Sequence, residues 1–520
     1  MGVVVRFSAL ALGLVASAAL ADSCIWYADD DSIRQLRTDT NEVTRVVPLR
    51  RPDRLVMNAE DCGVWALDKN DRRILRFSSE GSLEREIRVG DVERHLDKAE
   101  RLQLDPYDGS LWITDERRAV HLSSDGSLLG TFLASGRIRG IAVALDQSLW
   151  ILGTRELWQV DASGNLRSSF ALGSRLAADA RFFAIDSLGG FLWLADEHQL
   201  AQLKLASLGD PPLSIRLSRR ITGLALDPHA GKVWVGQQDG LLALDRNGAM
   251  VHRVDFDGRG FRKPDELAFD PVSRSLWVGA ERSVSRFTDT GDFVMTLSAR
   301  DGDEAIGVPA LKVQPTLTLL RPPENALTNN PQPEMRLSYG ADCNAVSCGF
   351  SASYFTAYTL EAMLNDHPVG GAFRLDGSSG ETSYLPPARL PEGTNRFTAR
   401  AKDSFGHPSN AISNTFTVDT IPPRFLTLSP PDGATSQTPN VVIQGTIDDP
   451  QATVVLNGSG LSQTGGGFAF PVTLHPGDNV FTFSAIDRAG NVSNTPLRLV
   501  LSSVAITIDS PVGGATINAD

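Results

Sequence analysis

The feature that most constrains this chain is a tryptophan-containing string that recurs at nearly constant spacing. Seven of the eight tryptophans lie in the strings CIWYAD, GVWALD, SLWITD, SLWILG, FLWLAD, KVWVGQ and SLWVGA, at Trp26, Trp65, Trp112, Trp150, Trp193, Trp234 and Trp277. Successive tryptophans are 39, 47, 38, 43, 41 and 43 residues apart. A period of about 40–45 residues built from short β segments is typical of β-propellers, in which each repeat forms one blade. We therefore predict a propeller over residues 22–315.

Each repeat divides into four short β segments. In the sixth repeat we predict strands at 221–228, 232–237, 241–245 and 249–254, with the last two joined by a tight turn at Asn247-Gly248. Glycine permits the positive φ that such hairpin turns need. The tryptophans stand on the second strand, where large aromatic side chains pack between blades. We therefore expect them in the core rather than stacked on a ligand.

The two ends of the repeat region complement each other. Once an export signal is removed, too few residues precede Trp26 to form an innermost strand, whereas VPALKVQP (308–315) resembles an innermost strand that no tryptophan strand follows. Pairing of this segment into the first blade would close the ring and remove exposed strand edges. We therefore predict seven blades, since six or eight would leave one of these matches unused.

A different pattern begins after Pro315. Similar openings occur at 318–326, 427–434 and 506–515, and two of these modules end in the matching segments 390–410 and 474–494. The alternation of apolar and polar residues in these segments is typical of strands in a β-sandwich. We predict immunoglobulin-like domains at 316–419 and 420–503, and the truncated start of another at 504–520. The predicted fold class is all-β, a seven-bladed β-propeller followed by tandem immunoglobulin-like β-sandwiches, and we expect the chain to continue after Asp520.

The N-terminus has the features of a cleavable export signal. Arg6 precedes an apolar run of 14 residues, and Ala19-Leu20-Ala21 forms a small-x-small cleavage site. This run is shorter than the roughly 20 residues that a membrane-spanning helix needs. We predict that residues 1–21 are a signal peptide and that the mature chain is exported to the cell surface, the extracellular space or the periplasm, with no later membrane span.

The charge balance excludes one class of partner. The chain carries 49 basic and 62 acidic residues, and cleavage removes only Arg6, so the mature net charge is 48 − 62 = −14. A nucleic-acid-binding protein needs a basic patch. We therefore predict no nucleic-acid partner.

Four cysteines remain after cleavage, namely Cys24, Cys62, Cys343 and Cys348. An even number in an oxidising compartment favours disulfides, and we predict the pairs Cys24–Cys62 and Cys343–Cys348. Free thiols and a metal site are the alternatives. No histidine flanks either pair, and zinc sites require such convergent ligands at short spacing, so we predict no metal and no cofactor.

These motifs resemble known families. The repeats, above all DPYDGSLWITDE (105–116), resemble NHL repeats and streptogramin-lyase-like propellers, and IDRAGNVS (486–493) resembles the closing strand and turn of bacterial immunoglobulin-like domains. Together they resemble the N-terminal part of large bacterial surface proteins or of Rhs/YD-repeat secreted toxins, although no YD repeat lies in these residues. The resemblance implies a fold, and a fold alone does not fix a function.

Charged residues follow the tryptophan strands on the face opposite the tight turns. Because loops on a rigid scaffold commonly carry binding sites, we predict that these residues form a binding rim for an unknown protein or glycan: Asp29, Asp30, Asp68, Asp71, Asp115, Glu116, Arg117, Arg155, Asp196, Glu197, His198, Glu281 and Arg282. The alternative is that each is a solvated hairpin tip.

The sequence contains no recognisable catalytic motif. Asp196-Glu197-His198 is the only local cluster that pairs a histidine with carboxylates, as proton transfer would require, and Asp29-Asp30-Asp31 or Asp448-Asp449 with Asp487 lack a full calcium-loop signature. We predict an exported, non-catalytic binding or adhesion scaffold in which the sandwiches are spacers. The alternatives are the N-terminal region of an Rhs/YD-repeat polymorphic toxin and a streptogramin-lyase-like or lactonase-like enzyme.

Overall fold

The computed structural model describes residues 24–29, 31–50, 52–58, 60–94, 96, 98–172, 180–256, 264–280, 282–299, 305–343, 346–347, 359–376, 380–403, 405–458 and 466–502. The predicted signal peptide (1–21) and the predicted start of a further domain (504–520) lie outside these residues. In the described ranges the chain is almost entirely β, with one short α-helix (α1, Val89–Val92) and two single-turn 3₁₀ helices.

The first part of the chain forms repeated four-stranded antiparallel sheets, which we number sheet 1 to sheet 7 within the described residues. The strands of sheets 1 to 4 are β1 (Cys24–Asp29), β2 (Ser32–Arg37) and β3 (Glu42–Pro48); β4 (Arg54–Met57), β5 (Val64–Asp68), β6 (Arg73–Phe77) and β7 (Leu83–Arg88); β8 (Arg101–Leu104), β9 (Leu111–Thr114), β10 (Arg118–Leu122) and β11 (Leu128–Leu133); and β12 (Ile138–Val143), β13 (Leu149–Gly153), β14 (Glu156–Val160) and β15 (Leu166–Ala171). Those of sheets 5 to 7 are β16 (Phe182–Asp186), β17 (Phe191–Ala195), β18 (Gln199–Lys204) and β19 (Leu213–Arg216); β20 (Ile221–Asp227), β21 (Lys232–Gln237), β22 (Gly240–Leu244) and β23 (Met250–Asp255); and β24 (Pro264–Asp270), β25 (Ser275–Ala280), β26 (Ser283–Thr288) and β27 (Phe293–Ser298). Sheet 1 is completed by β28 (Ile306–Gly307).

Each sheet follows the order in which its strands occur in the sequence, apart from β28, so the first strand of each repeat lies at one edge. We call these edge strands the inner strands: β28, β4, β8, β12, β16, β20 and β24. Each inner strand contacts the next, and β24 contacts β28, so the described inner strands form a closed cycle. Repeated four-stranded antiparallel sheets arranged in this way are typical of a β-propeller.

The strand that completes sheet 1 lies upstream of the predicted segment. We expected 308–315 to pair with the first repeat, but the pairing joins Tyr27 to Ile306 and Trp26 to Gly307. Pro309 instead forms a parallel bridge with Met57 in sheet 2. Pro309 has no N–H with which to continue the antiparallel ladder of sheet 1, which explains why the pairing with β1 ends upstream of it. The pairing of the two ends is confirmed, and its register was wrong.

The recurring tryptophans are core residues, as predicted. All seven are buried, with exposed fractions between 0% and 5%. On the third strand, the residue opposite the tryptophan is often polar. Its side chain forms a hydrogen bond to the next sheet, a contact that we call the clasp. His121, opposite Trp112, contacts the carbonyl of Ala162 in sheet 4 through its Nδ1 at 2.7 Å. In the same position of sheet 5, Gln202 donates to the carbonyl of Arg246 in sheet 6 at 2.8 Å.

The same clasp joins the last sheet to the first. Arg286 lies opposite Trp277, and its Nη1 donates to the Asn41 side-chain oxygen at 2.6 Å and to the Thr38 carbonyl, both in the turn between β2 and β3. The cycle is therefore held at two places, by the β1–β28 pairing and by this guanidinium. A side chain with a fixed fork of donors suits such a clasp because it bonds several acceptors at once.

One predicted disulfide is present, between Cys24 in sheet 1 and Cys62 in the turn between β4 and β5, with the Cα atoms 6.2 Å apart. The indole of Trp26 donates to the Cys62 carbonyl at 2.9 Å, so the two sheets are joined both covalently and by a hydrogen bond. The predicted Cys343–Cys348 pair lies outside the described residues, since Cys348 is not described.

The described residues of the rest of the chain form four further sheets. Their strands are β29 (Val313–Arg321), β30 (Leu327–Thr328), β31 (Met335–Cys343), β32 (Val346–Ser347), β33 (Thr359–Leu364), β34 (His367–Pro368), β35 (Arg374–Asp376), β36 (Glu381–Tyr384), β37 (Gly393–Lys402), β38 (Ile412–Val418), β39 (Phe425–Ser429), β40 (Ala434–Ser436), β41 (Asn440–Ile447), β42 (Thr453–Leu456), β43 (Gly467–Thr473), β44 (Gly477–Ile486) and β45 (Val492–Leu501). The sheet orders are β29-β31-β36-β35 with β32 beside β31, β30-β38-β37-β33-β34, β39-β41-β43 and β40-β45-β44-β42.

The last two sheets enclose one hydrophobic core. Ile443 and Phe470 come from β39-β41-β43, and Phe483 and Leu499 come from the other sheet, all in one buried cluster. Along β44 the side chains alternate between buried and exposed, as the sequence pattern predicted. The matching segments that end the two modules are therefore strands with one face in a core.

The chain divides into two compact units. The first comprises Met1–Thr316, Tyr339–Thr359 and Ala401–Asn410, and the second comprises Leu317–Ser338, Leu360–Arg400 and Ala411–Asp520. A search of the described residues found no helix with the length and apolar character needed to cross a bilayer.

Candidate functional site

The described rim residues lie in the turns between the second and third strands or at the strand ends beside them, and several contact the connections between sheets. The Glu116 carbonyl accepts the Ile138 N–H at 2.6 Å, the Arg155 carbonyl accepts that of Leu172 at 2.7 Å, and the His198 carbonyl accepts that of Leu217 at 2.8 Å. The Arg117 and Arg282 carbonyls accept in the same way from Ala134 and Ala299, each at 2.8 Å. These recurring bonds bring the turns and the connections to one face of the unit, which we call the rim.

The rim aspartates stabilise their own turns. Asp115 Oδ1 accepts the N–H groups of Arg117 and Arg118 at 2.7 and 2.6 Å. Asp196 does the same for the two residues at the equivalent positions, at 2.7 and 2.6 Å. Asp68, only 3% exposed, accepts from the Asp71 N–H at 3.1 Å. Such turns are what aspartate forms with nearby backbone, so these three carboxylates already have a structural role.

Several other rim residues are paired within the protein. Asp29 is buried and lies 2.7 Å from Arg34 Nη2. Asp71 lies 3.0 Å from Arg73 Nη2. Arg155 and His198 are exposed. The predicted residues Asp30 and Glu281 lie outside the described residues.

Glu197 connects the rim to the interior. Its Oε1 lies 2.9 Å from Arg181 Nη1 and 2.9 Å from Arg220 Nη2. Arg181 directly precedes the inner strand β16 and lines a central cavity. The rim and the mouth of that cavity are therefore one continuous surface.

The central cavity has a volume of about 440 Å³ and is lined by residues at or near the inner strands. Four arginines from consecutive sheets line it, namely Arg54, Arg101, Arg139 and Arg181. Sheet 7 contributes two carboxylates, Asp265 and Glu266, and apolar side chains including Phe182 and Phe183 complete the wall. We call the four arginines the basic arc and the two carboxylates the acidic segment. The cavity thus combines both kinds of charge with apolar surface.

Arg101 is the most constrained of the four arginines. Its Nε is buried and has no hydrogen-bond partner among the described residues. Burial lowers the pKa of this guanidinium, Arg54 and Arg137 lower it further, and Glu100 and Glu266 partly oppose them. A buried cation with an unsatisfied donor is costly unless an acceptor reaches it.

A second cavity of about 420 Å³ shares two of these arginines. Arg54 and Arg101 line it together with Lys69, Lys98 and Glu100, which belong to a rim turn and to the connection between sheets 2 and 3. The basic surface therefore extends from the central cavity outward to the rim. We call the residues that line the two cavities the channel mouth.

The prediction from sequence missed the arginines of the channel mouth. A signal for them exists: Arg54, Arg101 and Arg139 each precede the tryptophan of their repeat by 11 residues, and Arg181 precedes Trp193 by 12. Aligning the repeats on their tryptophans would have placed these side chains at one level of the ring.

A third cavity, of about 710 Å³, lies between sheets 2 and 3, and its arginine Arg76 pairs with acidic residues of the same cavity. It is lined by Trp65, Arg76 and Asp61 among others. Arg76 forms an ion pair with Asp61 and lies 3.5 Å from Glu84. Its charge is already matched, which makes this cavity a weaker candidate for a charged ligand than the channel mouth.

The Asp196-Glu197-His198 cluster is not arranged as an acid–base pair. Among the described residues, no hydrogen bond joins the His198 ring to a carboxylate, and Asp196 is occupied by backbone N–H groups. General acid–base catalysis would need such a positioned pair. In the same part of the chain no three histidine, cysteine, aspartate or glutamate side chains converge as metal ligands would.

Comparisons with known proteins give fold-level similarity and no family. No family model and no curated protein matches the chain. The chain is similar to the crystal structure of a functionally unknown protein from Desulfotomaculum acetoxidans, with 14% identity, a TM-score of 0.45, and coverage of 55% of this chain and 100% of that one. It is also similar to the β-propeller domain of Cps50 (Swd1) from Myceliophteria thermophila, with 13% identity, a TM-score of 0.41, and coverage of 49% and 88%.

Proposed function

We propose that this protein is an exported, non-catalytic binding scaffold. Residues 22–315 form a seven-bladed, NHL-like propeller whose channel mouth binds a ligand, and the immunoglobulin-like sandwiches at 316–419 and 420–503 hold that face away from the rest of the protein. The observation that carries the proposal is the central cavity of the channel mouth, a concave site of about 440 Å³ with converging charged groups. Ligand sites are commonly concave, largely preformed, and lined by apolar surface with a few placed polar groups.

The hydrogen bonding of the charged side chains supports ligand binding at the channel mouth rather than at the rim turns. Asp115 and Asp196 hold their own turns, whereas Arg101 keeps a buried donor without a partner. Arg101 also lines the cavity, and an acceptor group of a ligand would supply a partner for its guanidinium. The rim turns would then border the site and determine which ligands reach it.

Export and the spacer role rest on separate observations. The Cys24–Cys62 disulfide suits an oxidising compartment, in agreement with the signal sequence. The last two sheets enclose a core of their own, as a sandwich domain does. Rigid domains of this type are suited to displaying a binding module.

The proposal is tested by finding a ligand and locating its site. The full secreted chain is applied to an array of saccharides and of envelope proteins, and each hit is mapped by hydrogen–deuterium exchange. We expect protection in β4, β8 and β12, and loss of binding in an Arg54→Gln/Arg101→Gln variant. Arg167→Gln is the matched control, because Arg167 is an exposed arginine on β15 that belongs neither to the rim nor to the cavity linings. Hits that map to the sandwiches, or that bind the double variant as well as the wild type, contradict the proposal.

A further inference from the structure

We propose that the ligand of the channel mouth is an acidic saccharide, whose anionic group is bound by the arginines and whose hydroxyl groups donate to the carboxylates of sheet 7. This inference rests on the proposed function, and it specifies the chemistry that the site recognises. A uronic acid carboxylate and a sugar sulfate share this chemistry, and both are acceptor groups for guanidinium donors.

The basic arc supplies the anion site. Arg54 donates to the Asp53 carbonyl at 2.9 Å, and Arg139 Nη1 donates to the Ala180 carbonyl at 3.4 Å. Arg101 Nε has no partner. Arg181 is held by Glu197 and is the least available of the four. Arg54 and Arg101 thus bring guanidinium groups from neighbouring inner strands to one cavity, in a chain whose net charge is −13.

The electrostatics of Arg101 point the same way. Its pKa is lowered by burial first and by the nearby Arg54 and Arg137 cations next. A bound anion would offset both causes, since it supplies an opposite charge inside the cavity. Anion binding therefore relieves an unfavourable arrangement that the free protein holds in place.

The acidic segment distinguishes a saccharide from other anions. Asp265 and Glu266 line the same cavity, and ionised carboxylates accept hydrogen bonds but donate none. They would repel a second anionic group, as in a polyglutamate peptide or a nucleic acid. A sugar acid has one anionic group and several hydroxyl donors, so it satisfies the basic and acidic sides together.

The size and apolar wall of the cavity fit the same class of ligand. A volume of about 440 Å³ lies in the range of about 300–1,000 Å³ that small-molecule sites have. Phe182 and Phe183 line the cavity, and they offer apolar surface to the C–H faces of a sugar ring. A free sulfate or phosphate ion would leave this apolar wall without ligand contacts.

The experiment is calorimetric titration of the full chain with defined probes. The uronate arm uses galacturonate oligosaccharides, the sulfate arm uses a sulfated disaccharide, and the controls are a neutral disaccharide, a polyglutamate peptide and inorganic phosphate. We expect binding in at least one of the acidic-saccharide arms, at least tenfold weaker affinity in Arg101→Gln because a charge-assisted hydrogen bond is lost, and weaker binding at higher salt. Arg167→Gln should bind like the wild type, because Arg167 lies outside the rim and both cavity linings.

A second variant separates recognition from folding. Glu266→Gln should weaken saccharide binding several-fold, and both variants are compared with the wild type by tryptophan fluorescence to confirm that the fold is retained. If Arg101→Gln fails to fold, Arg54→Gln provides the same test. Equal affinity for the neutral disaccharide, or for polyglutamate or phosphate, overturns the inference.

The failure of this inference is distinguishable from failure of the proposed function. If no acidic saccharide binds but another ligand protects β4, β8 and β12 from exchange, the saccharide inference fails and the binding function stands. If ligands protect only other parts of the chain, both fail.

Discussion

Asp105 is buried at the end of an inner strand, and its titration makes the stability of the propeller unit depend on pH. Asp105 is only 1% exposed to solvent. One carboxylate oxygen accepts the Tyr107 N–H at 2.9 Å and the other accepts from Gln147 Nε2 at 3.2 Å. Burial raises the pKa of Asp105 to about 6, with Asp108 adding to the rise and the Tyr107 N–H, Gln147 and His407 opposing it.

The magnitude follows from the two pKa values. The pKa is 3.8 in an unperturbed aspartate and about 6 in the folded protein, a difference of about 2, and each pKa unit corresponds to about 1.4 kcal/mol. The folded state therefore binds this proton more tightly by about 3 kcal/mol. Because the folded pKa is raised, the stabilisation is complete below pH 4 and is lost as the pH rises through about 6.

The substitution Asp105→Asn removes this titration. Above pH 7 we expect the variant to be more stable than the wild type by about 2 kcal/mol, because about 3 kcal/mol is recovered and about 1 kcal/mol is lost with one hydrogen bond. Near pH 4 the wild type should equal or exceed the variant. The assay is urea unfolding of the full chain from pH 4 to pH 8, followed by fluorescence, since all eight tryptophans lie between Trp26 and Trp277 and report on this unit.

Parallel pH profiles for the wild type and Asp105→Asn would refute the reasoning. Asp125→Asn serves as the control, because Asp125 is an exposed turn residue whose pKa is lowered to about 2 by hydrogen bonds from Ser123 and Ser127. The folded state keeps Asp125 ionised from pH 4 to pH 8. This variant should therefore retain the slope of the wild type over that range.

Three further substitutions test the construction of the cycle. Replacing Cys24 and Cys62 by serine should lower the free energy of unfolding by about 4 kcal/mol through loop entropy, an effect that reductant should reproduce in the wild type. Arg286→Gln should cost about 1–3 kcal/mol and speed hydrogen exchange in β1; unchanged exchange would argue against the clasp. Gly130→Ala would put a Cβ 2.3 Å from a backbone carbon of sheet 4 and should cost about 1–3 kcal/mol, whereas Gly136→Ala, which meets nothing within 4 Å, should be neutral by thermal unfolding.

The sequence predicted the features that local patterns determine. The strands of the sixth repeat agree to within a residue or two, because each is a short apolar run bounded by turn residues. The buried tryptophans and the Cys24–Cys62 pair followed from spacing and compartment. These signals lie in contiguous residues or in a fixed period, so they are readable without a structure.

What the sequence prediction missed depends on distances between separate repeats. The register of the closing strand depends on whether Pro309 faces sheet 1 or sheet 2, which no local pattern determines. Arg54, Arg101 and Arg139 are 47 and 38 residues apart in sequence, and only the cycle of inner strands brings them to one cavity. The rim aspartates were predicted to bind a ligand because they are charged. Asp115 and Asp196 accept hydrogen bonds from N–H groups of their own turns, a role that the sequence pattern did not indicate.

Sheet 1 is built from strands at both ends of the repeat region. It therefore cannot be completed before the other sheets of the cycle have been synthesised. Sheets 2 to 7 are each built from consecutive segments and can form as the chain emerges, whereas sheet 1 waits for Ile306–Gly307. Until then β1 has an open edge of the kind that recruits other chains. The Cys24–Cys62 bond needs only the first two sheets, so it can hold β1 in place during that interval. The cycle of inner strands is then closed by the docking of a two-residue strand into a waiting edge.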